Sequence, residues 1–496
     1  MKNKLLLFSA LFLFIAGAGN AQIKNIYNFT GNEDPQGSLT QSGNLFYGMA
    51  YAGGDSGRNE GYIFVINRNG SGFKQIWNFY DTGVAFHANG ENPTGSLIIN
   101  GNKLYGMTEQ GGANGYGLVF SINTDGSGYK DLWDFNDTAN YAGNSNGEYP
   151  YGGLVLLRGR LYGMTNRGGY HSSYLGLIFS VDTAGGGFKD MLDFSQTLNG
   201  GNPYGDLIIS GGKFLGMTYG NCDECRTLNG EYGWGNVFSM DTNGTNYKDV
   251  YVFAGPNGIG PSGSLAVSQD GKRVYGTTGY SGPKYNDGIV FGVDTDGGNF
   301  KNLMSFNDSN GRNSYGSLIL SGKTLYGMTN EGGSYLQYSG SGFGNIFSLD
   351  TNGSNPNVVY NFNLSNGANP LYGHLTIEGD TLYGMTEYGG FEDDGVIFAY
   401  TIPTVTTGIQ NISYTNGNIT VYPNPSNGVF TIKSAISGQW SVDVYNLLGE
   451  KVYTQSNIQN QTFNIDLGSQ SNGIYFYRVT NLDGNNVGEG KLEIQK

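Results

Sequence analysis

A chain of 496 residues exceeds what one ordinary core accommodates, so several domains or a repeat array are expected. Charged residues make up only 13% of it, yet the net charge is −14, and this shortage of Lys and Arg excludes the basic footprint that nucleic acids and anionic membranes require. Gly (85) and Tyr (37) are abundant and no amphipathic helical run stands out, so short β-type runs between Gly/Asn/Asp/Ser clusters predict an all-β chain.

Residues 1–21 read as a signal peptide. Lys2 and Lys4 are the positive start, Leu5 to Ala18 the apolar run, and Gly19-Asn20-Ala21 supplies small residues for cleavage before Gln22. That run is short for a membrane span, and no later run is long enough, so an exported mature chain without a transmembrane span is expected.

Residues 22–403 carry a repeat. Leu104-Tyr105-Gly106-Met107-Thr108 has close copies whose central glycines are Gly48, Gly163, Gly216, Gly276, Gly327 and Gly384, spaced 51 to 60 residues apart. One unit spans residues 93–135. Ser96 to Ile99 is a first strand, Asn100-Gly101 a tight turn, Lys103 to Thr108 a second strand, Gly117 to Ile122 a third and Tyr129 to Phe135 a fourth. Four short antiparallel strands per unit predict a propeller blade. The fourth strand recurs only six times after the first Tyr-Gly-Met copy, and its missing partner is Lys24 to Phe29 at the front. The expectation is therefore a seven-bladed β-propeller, its ring closed by the N-terminal strand beside Ile397 to Tyr400. An open β-solenoid is the competing architecture, and it has no need of a displaced terminal strand. The strand glycine marks a close approach, and the repeated stripe around it reads as core.

Loops between strands one and two and between strands three and four are short, as at Asn100-Gly101 and Asp125-Gly126. Those between strands two and three and between units are long and aromatic, as at 219–235, 334–344, 81–93 and 136–150. Variable loops on a rigid scaffold are where binding resides. One plain face and one Tyr-rich, acidic face are expected. Its candidate ligand contacts are Glu109, Tyr116, Tyr149, Tyr170, Tyr219, Trp234, Tyr335 and Glu387. Tyrosine beside amides and carboxylates suits sugar stacking or a protein partner.

Residues 404–418 read as a linker. Residues 419–496 hold seven short strands and predict a C-terminal β-sandwich. This stretch contains Val421-Tyr422-Pro423-Asn424-Pro425, then Val444 to Val452 with Gly449, then Asn472-Gly473-Ile474-Tyr475, and closes on Gly490 to Lys496. In that order it resembles the type A sorting domain of the type IX secretion system of Bacteroidetes. The resemblance implies Sec export, outer-membrane passage by that machinery, and release or surface attachment. It also implies sorting-motif roles for Pro423, Asn424, Pro425, Gly449, Gly473, Tyr475 and Lys496. The repeat, carried by Gly-Ser-Leu, Leu-Tyr-Gly-Met-Thr and Val-Phe-Ser as in residues 95–125, resembles the GloVer-type tandem repeats of surface proteins. That resemblance implies architecture and address, and no activity.

Little points to catalysis. Cys222 and Cys225 are the only cysteines, and in an exported chain they predict a local disulfide. Asp-rich turns such as Asp241-Thr242-Asn243-Gly244 faintly suggest calcium, but hairpin chemistry explains them. Gly54-Asp55-Ser56-Gly57 has no accompanying triad pattern. Glu109 and Glu387 occupy equivalent repeat positions, but Asn166, Tyr219, Gly279 and Asn330 fill that place elsewhere, so no carboxylate dyad is legible. No catalytic residue, metal site or cofactor is expected. The leading reading is an exported binding or structural propeller, and the alternative is a secreted polysaccharide hydrolase or lyase using loop-face carboxylates.

Overall fold

The computed structural model describes residues 23–54, 59–80, 89–136, 146–169, 175–195, 200–220, 234–280, 287–335, 341–403, 419–434, 438–482 and 486–496. The chain divides into two compact units, Met1–Thr404 and Val405–Lys496.

The first unit is all-β. Among the described residues it holds seven four-stranded antiparallel sheets, six of them built from strands consecutive in sequence. The second sheet is typical: Ile98–Asn100, Lys103–Thr108, Leu118–Asn123 and Lys130–Asp134. The seventh differs. It contains Thr376–Glu378, Thr381–Thr386 and Val396–Thr401, and its fourth strand is Ile23–Asn28, paired antiparallel to Val396–Thr401. Between third and fourth strands every sheet carries a register shift, such as that between Val119 and Phe120. A bulge of this kind adds local twist, and here it turns Leu132 into the core toward the third sheet.

Period-2 alternation divides each second strand between two neighbours. Tyr105 and Met107 pack with Leu161, Leu177 and Phe179 of the third sheet. Leu104, on the other face, packs with Tyr47, Met49 and Ile63 of the first. Equivalent clusters join each later sheet to the next. A further cluster joins Phe46, Tyr62 and Phe64 of the first sheet to Tyr383, Met385 and Ile397 of the seventh. The Tyr-Gly-Met stripe is thus core, as its repetition suggests. Its glycine is paired directly with the phenylalanine of strand three, Gly106 with Phe120, and in all seven sheets a Cβ there would lie within 3.0 Å of that ring. The close approach is therefore to a cross-strand aromatic ring inside the sheet, rather than to a neighbouring blade. Where the motif departs, packing adapts: Leu215 stays in the core, and the Thr277 hydroxyl donates to the carbonyls of Ser314 and Gly316 at 3.2 Å.

The second unit pairs a three-stranded sheet (Ile419–Tyr422, Val429–Ser434, Thr462–Asp466) with a four-stranded one (Lys451–Ile458, Trp440–Tyr445, Gly473–Asn481, Asn486–Ile494). Their inner faces share one core around Phe430, Ile432, Trp440, Val442, Ile465 and Val479. Asn424 fastens the Pro-Asn-Pro segment to the last strand: its amide donates to the Lys491 carbonyl at 2.6 Å and its oxygen accepts from Glu493 N–H at 2.8 Å. Tyr475 is buried and its hydroxyl donates to the Ser471 carbonyl at 2.9 Å. Gly449 takes a positive φ in the turn that Asn446 organises. The Lys496 ammonium donates to the carbonyls of Gly468 and Gln470, both at 2.6 Å.

Candidate functional site, a tyrosine-lined mouth

Each sheet of the first unit is entered through a residue followed by glycine: Gln36, Thr94, Tyr151, Tyr204, Ser262, Tyr315 and Tyr372. The glycines interlock. A Cβ on Gly37 would lie within 3.0 Å of the Gly95 carbonyl, one on Gly95 within that distance of Gly152, and so on through Gly205, Gly263, Gly316 and Gly373, whose own Cβ would meet the carbonyl of Gly37. The residues after these glycines add a second set of links. Asp206 N–H donates to Ser264 Oγ (2.8 Å), Ser264 N–H to Ser317 Oγ (2.7 Å) and His374 N–H to Ser38 Oγ (2.8 Å), while the Asp206 carboxylate accepts from Gly153 N–H. One narrow cavity is lined by Ser38, Ser96, Asp206, Ser264, Ser317 and His374, together with Tyr151, Tyr204 and Tyr372.

The four entering tyrosines converge. The Tyr204 ring lies 5.0 Å from Tyr151 and 6.0 Å from Tyr372, and Tyr372 also lies 6.5 Å from Tyr151 and 6.3 Å from Tyr315. Tyr219 stands edge-on to Tyr204 at 5.3 Å, and the hydroxyls of Tyr280 and Tyr315 are 2.6 Å apart. A side chain of the seventh sheet meets rings of the third, fourth and sixth only where the sheets draw together. Strand one begins where strand two ends, because the two are antiparallel. The cluster therefore lies on the side of the long connections.

Glu109 is 8% exposed and accepts from the Tyr151 hydroxyl at 3.0 Å. Burial pushes its carboxyl up, against the opposing pull of the Tyr151 and Tyr51 hydroxyls and Arg167. Burial, with Asp34 adding to it, pushes Glu387 up to about 7. Burial and then the neighbouring Glu109 push the Tyr51 hydroxyl up to about 12. Burial thus works against the charged form of both carboxyls.

The structure brings together several of the sequence-predicted contacts. Glu109 and Tyr219 border the cluster, and Glu387 acts electrostatically on Tyr372 and Tyr51. Tyr116 stands edge-on to Tyr149 at 5.9 Å, and the Arg167 guanidinium lies 5.8 Å from the Tyr149 ring centre. Trp234 packs against the core between the fourth and fifth sheets, and Tyr335 is 49% exposed. Tyr170, Cys222, Cys225, Asp55 and Ser56 lie outside the described residues. The Asp-rich turns bond within their own sheets: Asp241 pairs with Lys213 across the second and third strands and with Asn246 in the turn, and Asp294 likewise with Arg273 and Asn299. Sequence reasoning misses Tyr51, Tyr151, Tyr204, Tyr280, Tyr315 and Tyr372. Aligning the repeats on the glycine before each first strand exposes four of them at one position.

Two family models match. One, described as the Gloeobacter/Verrucomicrobia repeat, matches residues 9–228 and 225–398, and the other, described as the secretion system C-terminal sorting domain, matches residues 420–492. Among curated proteins, no sequence matches. Similar solved structures include an oligogalacturonate lyase in complex with manganese (12% identity, 78% of this chain and 95% of that one, TM-score 0.46). Others are the polysaccharide lyase Uly1 (12%, 76% and 92%, 0.47) and the β-propeller domain of the Trilobed protease from Pyrococcus furiosus (13%, 75% and 96%, 0.43). At these identities and scores the likenesses say nothing of activity.

Proposed function

The chain belongs to the Gloeobacter/Verrucomicrobia repeat family, and from that premise we propose a binding protein whose repeats form one closed seven-bladed β-propeller, with a glycan as ligand at the tyrosine-lined mouth. Its C-terminal sorting domain indicates handling by type IX secretion machinery, and export followed by secretion or outer-surface attachment. Among the described residues no helix is long and apolar enough to cross a membrane. On this reading residues 1–21 are the signal peptide, 22–403 the propeller, 404–418 a linker and 419–496 the sorting domain. The glycine series that returns from Gly373 to Gly37, and the core shared by the first and seventh sheets, support closure.

The observation that carries the binding reading is the convergence of Tyr151, Tyr204, Tyr315 and Tyr372 beside Glu109. Aromatic rings with a few polar groups are the usual lining of sugar and small-ligand sites. A glycan array followed by titration of the chain from Gln22 onward tests it. Binding of a defined oligosaccharide, weakened at least tenfold by Tyr204→Ala, is expected. Capture of a surface protein with no glycan bound would move the assignment to a protein ligand.

A second reading, a polysaccharide hydrolase or lyase, is favoured by the Glu387 carboxyl at about 7. A carboxyl that keeps its proton near neutral pH suits general acid work. New reducing ends or unsaturated products formed by the chain, and abolished by Glu387→Gln, would establish it.

A further inference from the structure

Fifteen non-glycine residues among those described have φ between 44° and 68°. Twelve are Asn or Asp, which tolerate this left-handed region. The other three are Tyr149, Arg158 and Tyr372. Arg158 is explained by its hairpin. It follows Leu157, which pairs with Arg160, in the turn place that Gly101 takes in the second sheet. The two tyrosines lie outside any hairpin turn, in the connections that enter the third and seventh sheets, and strain of this kind clusters at ligand sites.

Tyr149 stands where the connections into the other sheets carry Asp34, Asn92, Asn202, Gly260, Asn313 and Asn369. At four of these the amide is used: Asn92, Asn202 and Asn369 donate to the carbonyls of Tyr51, Asn166 and Asn330 at 3.0, 3.0 and 2.9 Å, and Asn313 to the Glu331 carboxylate at 3.3 Å. A tyrosine side chain has no amide to make that bond. Tyr372 owes its place to an additional residue. Pro370-Leu371-Tyr372-Gly373 replaces the shorter Pro150-Tyr151-Gly152 and Pro203-Tyr204-Gly205 pattern. Tyr372 lies parallel to Tyr204, 6° between ring planes, and Tyr149, two residues before Tyr151 in the chain, sets its ring against Tyr116 and Arg167, which acts on Glu109. At Tyr149 the fold offers a cheaper residue and carries a ring instead, and at Tyr372 it keeps the ring of Tyr151, Tyr204 and Tyr315 at the cost of a positive φ.

We infer that Tyr149 and Tyr372 are ligand-contacting residues of the mouth and that they take a neutral sugar ring. This rests on the reading that the mouth binds glycan. Neutrality follows from what surrounds them. Glu109 and Glu387 border the cluster, Asp34 acts on Glu387, and Arg167 lies over Tyr149 while acting on Glu109. A carboxylated sugar finds the Arg167 guanidinium already set over Tyr149 and acting on Glu109, and a cationic one finds carboxyls whose charged form burial disfavours. A neutral pyranose brings its C–H face to the tyrosine rings and its hydroxyls to Glu109 and the phenols.

The test uses the chain from Gln22 onward with neutral gluco-, xylo- and manno-oligosaccharides and hexuronate oligomers of equal length. Tyr149→Asn installs the residue that most other connections use at that place, and Tyr372→Asn installs a residue that tolerates the positive φ of Tyr372. Each is expected to keep or raise the melting temperature and to weaken neutral-sugar binding at least tenfold. Arg158→Asn is the control: it relieves the same strain and leaves affinity unchanged. Unchanged affinity in both tyrosine variants, or a marked loss of melting temperature in them, would make the two rings structural and overturn the inference. Binding of hexuronates without neutral sugars would also overturn it while leaving the mouth reading standing. If the wild-type chain binds no glycan, both fall together.

Discussion

Gly216 sits across the sheet from Phe238, whose ring tip occupies the place of a Cβ. Gly216→Ala forces that ring against its own neighbours, Phe194 among them. Overpacking of this kind costs about 1–3 kcal/mol, so a fall of that size in denaturant-derived stability is expected. Gly255→Ala, with nothing within 4 Å of the added carbon, stays within about 0.5 kcal/mol of wild type. Equal losses in the two variants would show that glycine flexibility matters rather than space. The sequence makes the strand glycine legible because seven repeats place it identically. It hides the tyrosine mouth for a physical reason: each unit supplies one residue, the seven residues are not alike, and their contacts depend on convergence over some 220 residues, from Tyr151 to Tyr372. Strain at Tyr149 is equally invisible, since only backbone geometry separates it from any other loop tyrosine.

The bulge between third and fourth strands has its own chemistry at the scale of the element. In the fifth sheet Asn302 donates to Ser305 at 3.1 Å, and in the seventh Asn25 donates to Asn28 at 3.1 Å. The second and third sheets put carboxyls at both places, Asp131 with Asp134 and Asp190 with Asp193. Burial, and then the facing partner, pushes Asp131 and Asp190 from 3.8 up to about 7. Two carboxylates so close hold one proton between them. The folded state therefore binds more protons than the unfolded one between pH 3.8 and about 7, and stability falls as pH rises through that window. Asp131→Asn restores the amide arrangement of the fifth and seventh sheets. It is expected to leave stability near pH 4 unchanged and to raise it near pH 8 by on the order of 1 kcal/mol, allowing for solvent screening. Thermal scans across pH check this, and an equal shift at both ends would remove the shared proton from the account. The repeat count, the strands and their order are legible from sequence because period-2 alternation and turn glycines recur unit after unit. The paired acids are not, since a one-residue register shift decides that Asp131 and Asp134 face each other.

At the scale of the molecule, the strand Ile23–Asn28 determines whether the repeats form a ring or a stack. The displaced strand is legible as a count that does not balance, six fourth strands against seven Tyr-Gly-Met copies, and the structure pairs it with Val396–Thr401. Phe29, which follows it, is fully buried with Phe64 in the core shared by the first and seventh sheets. In an open stack, removing a terminal strand strips one outer edge and leaves the other units untouched, because each repeat depends only on its neighbours. In a ring, the same removal exposes the Val396–Thr401 edge and weakens the junction on which the first and last sheets both depend. Loss of the buried Phe29 side chain by itself costs about 3–5 kcal/mol. A chain beginning at Glu33 is therefore expected to unfold at markedly lower temperature and to scatter X-rays as a larger, more open particle. Adding back a synthetic peptide of residues 22–32 should restore both properties, since the peptide re-forms the missing pairing and refills the Phe29 site. Unchanged scattering with a small thermal loss would fit an open stack and remove the closed ring. The tyrosine mouth would lose its basis with it, because rings contributed by the third, fourth, sixth and seventh sheets meet only if those sheets converge.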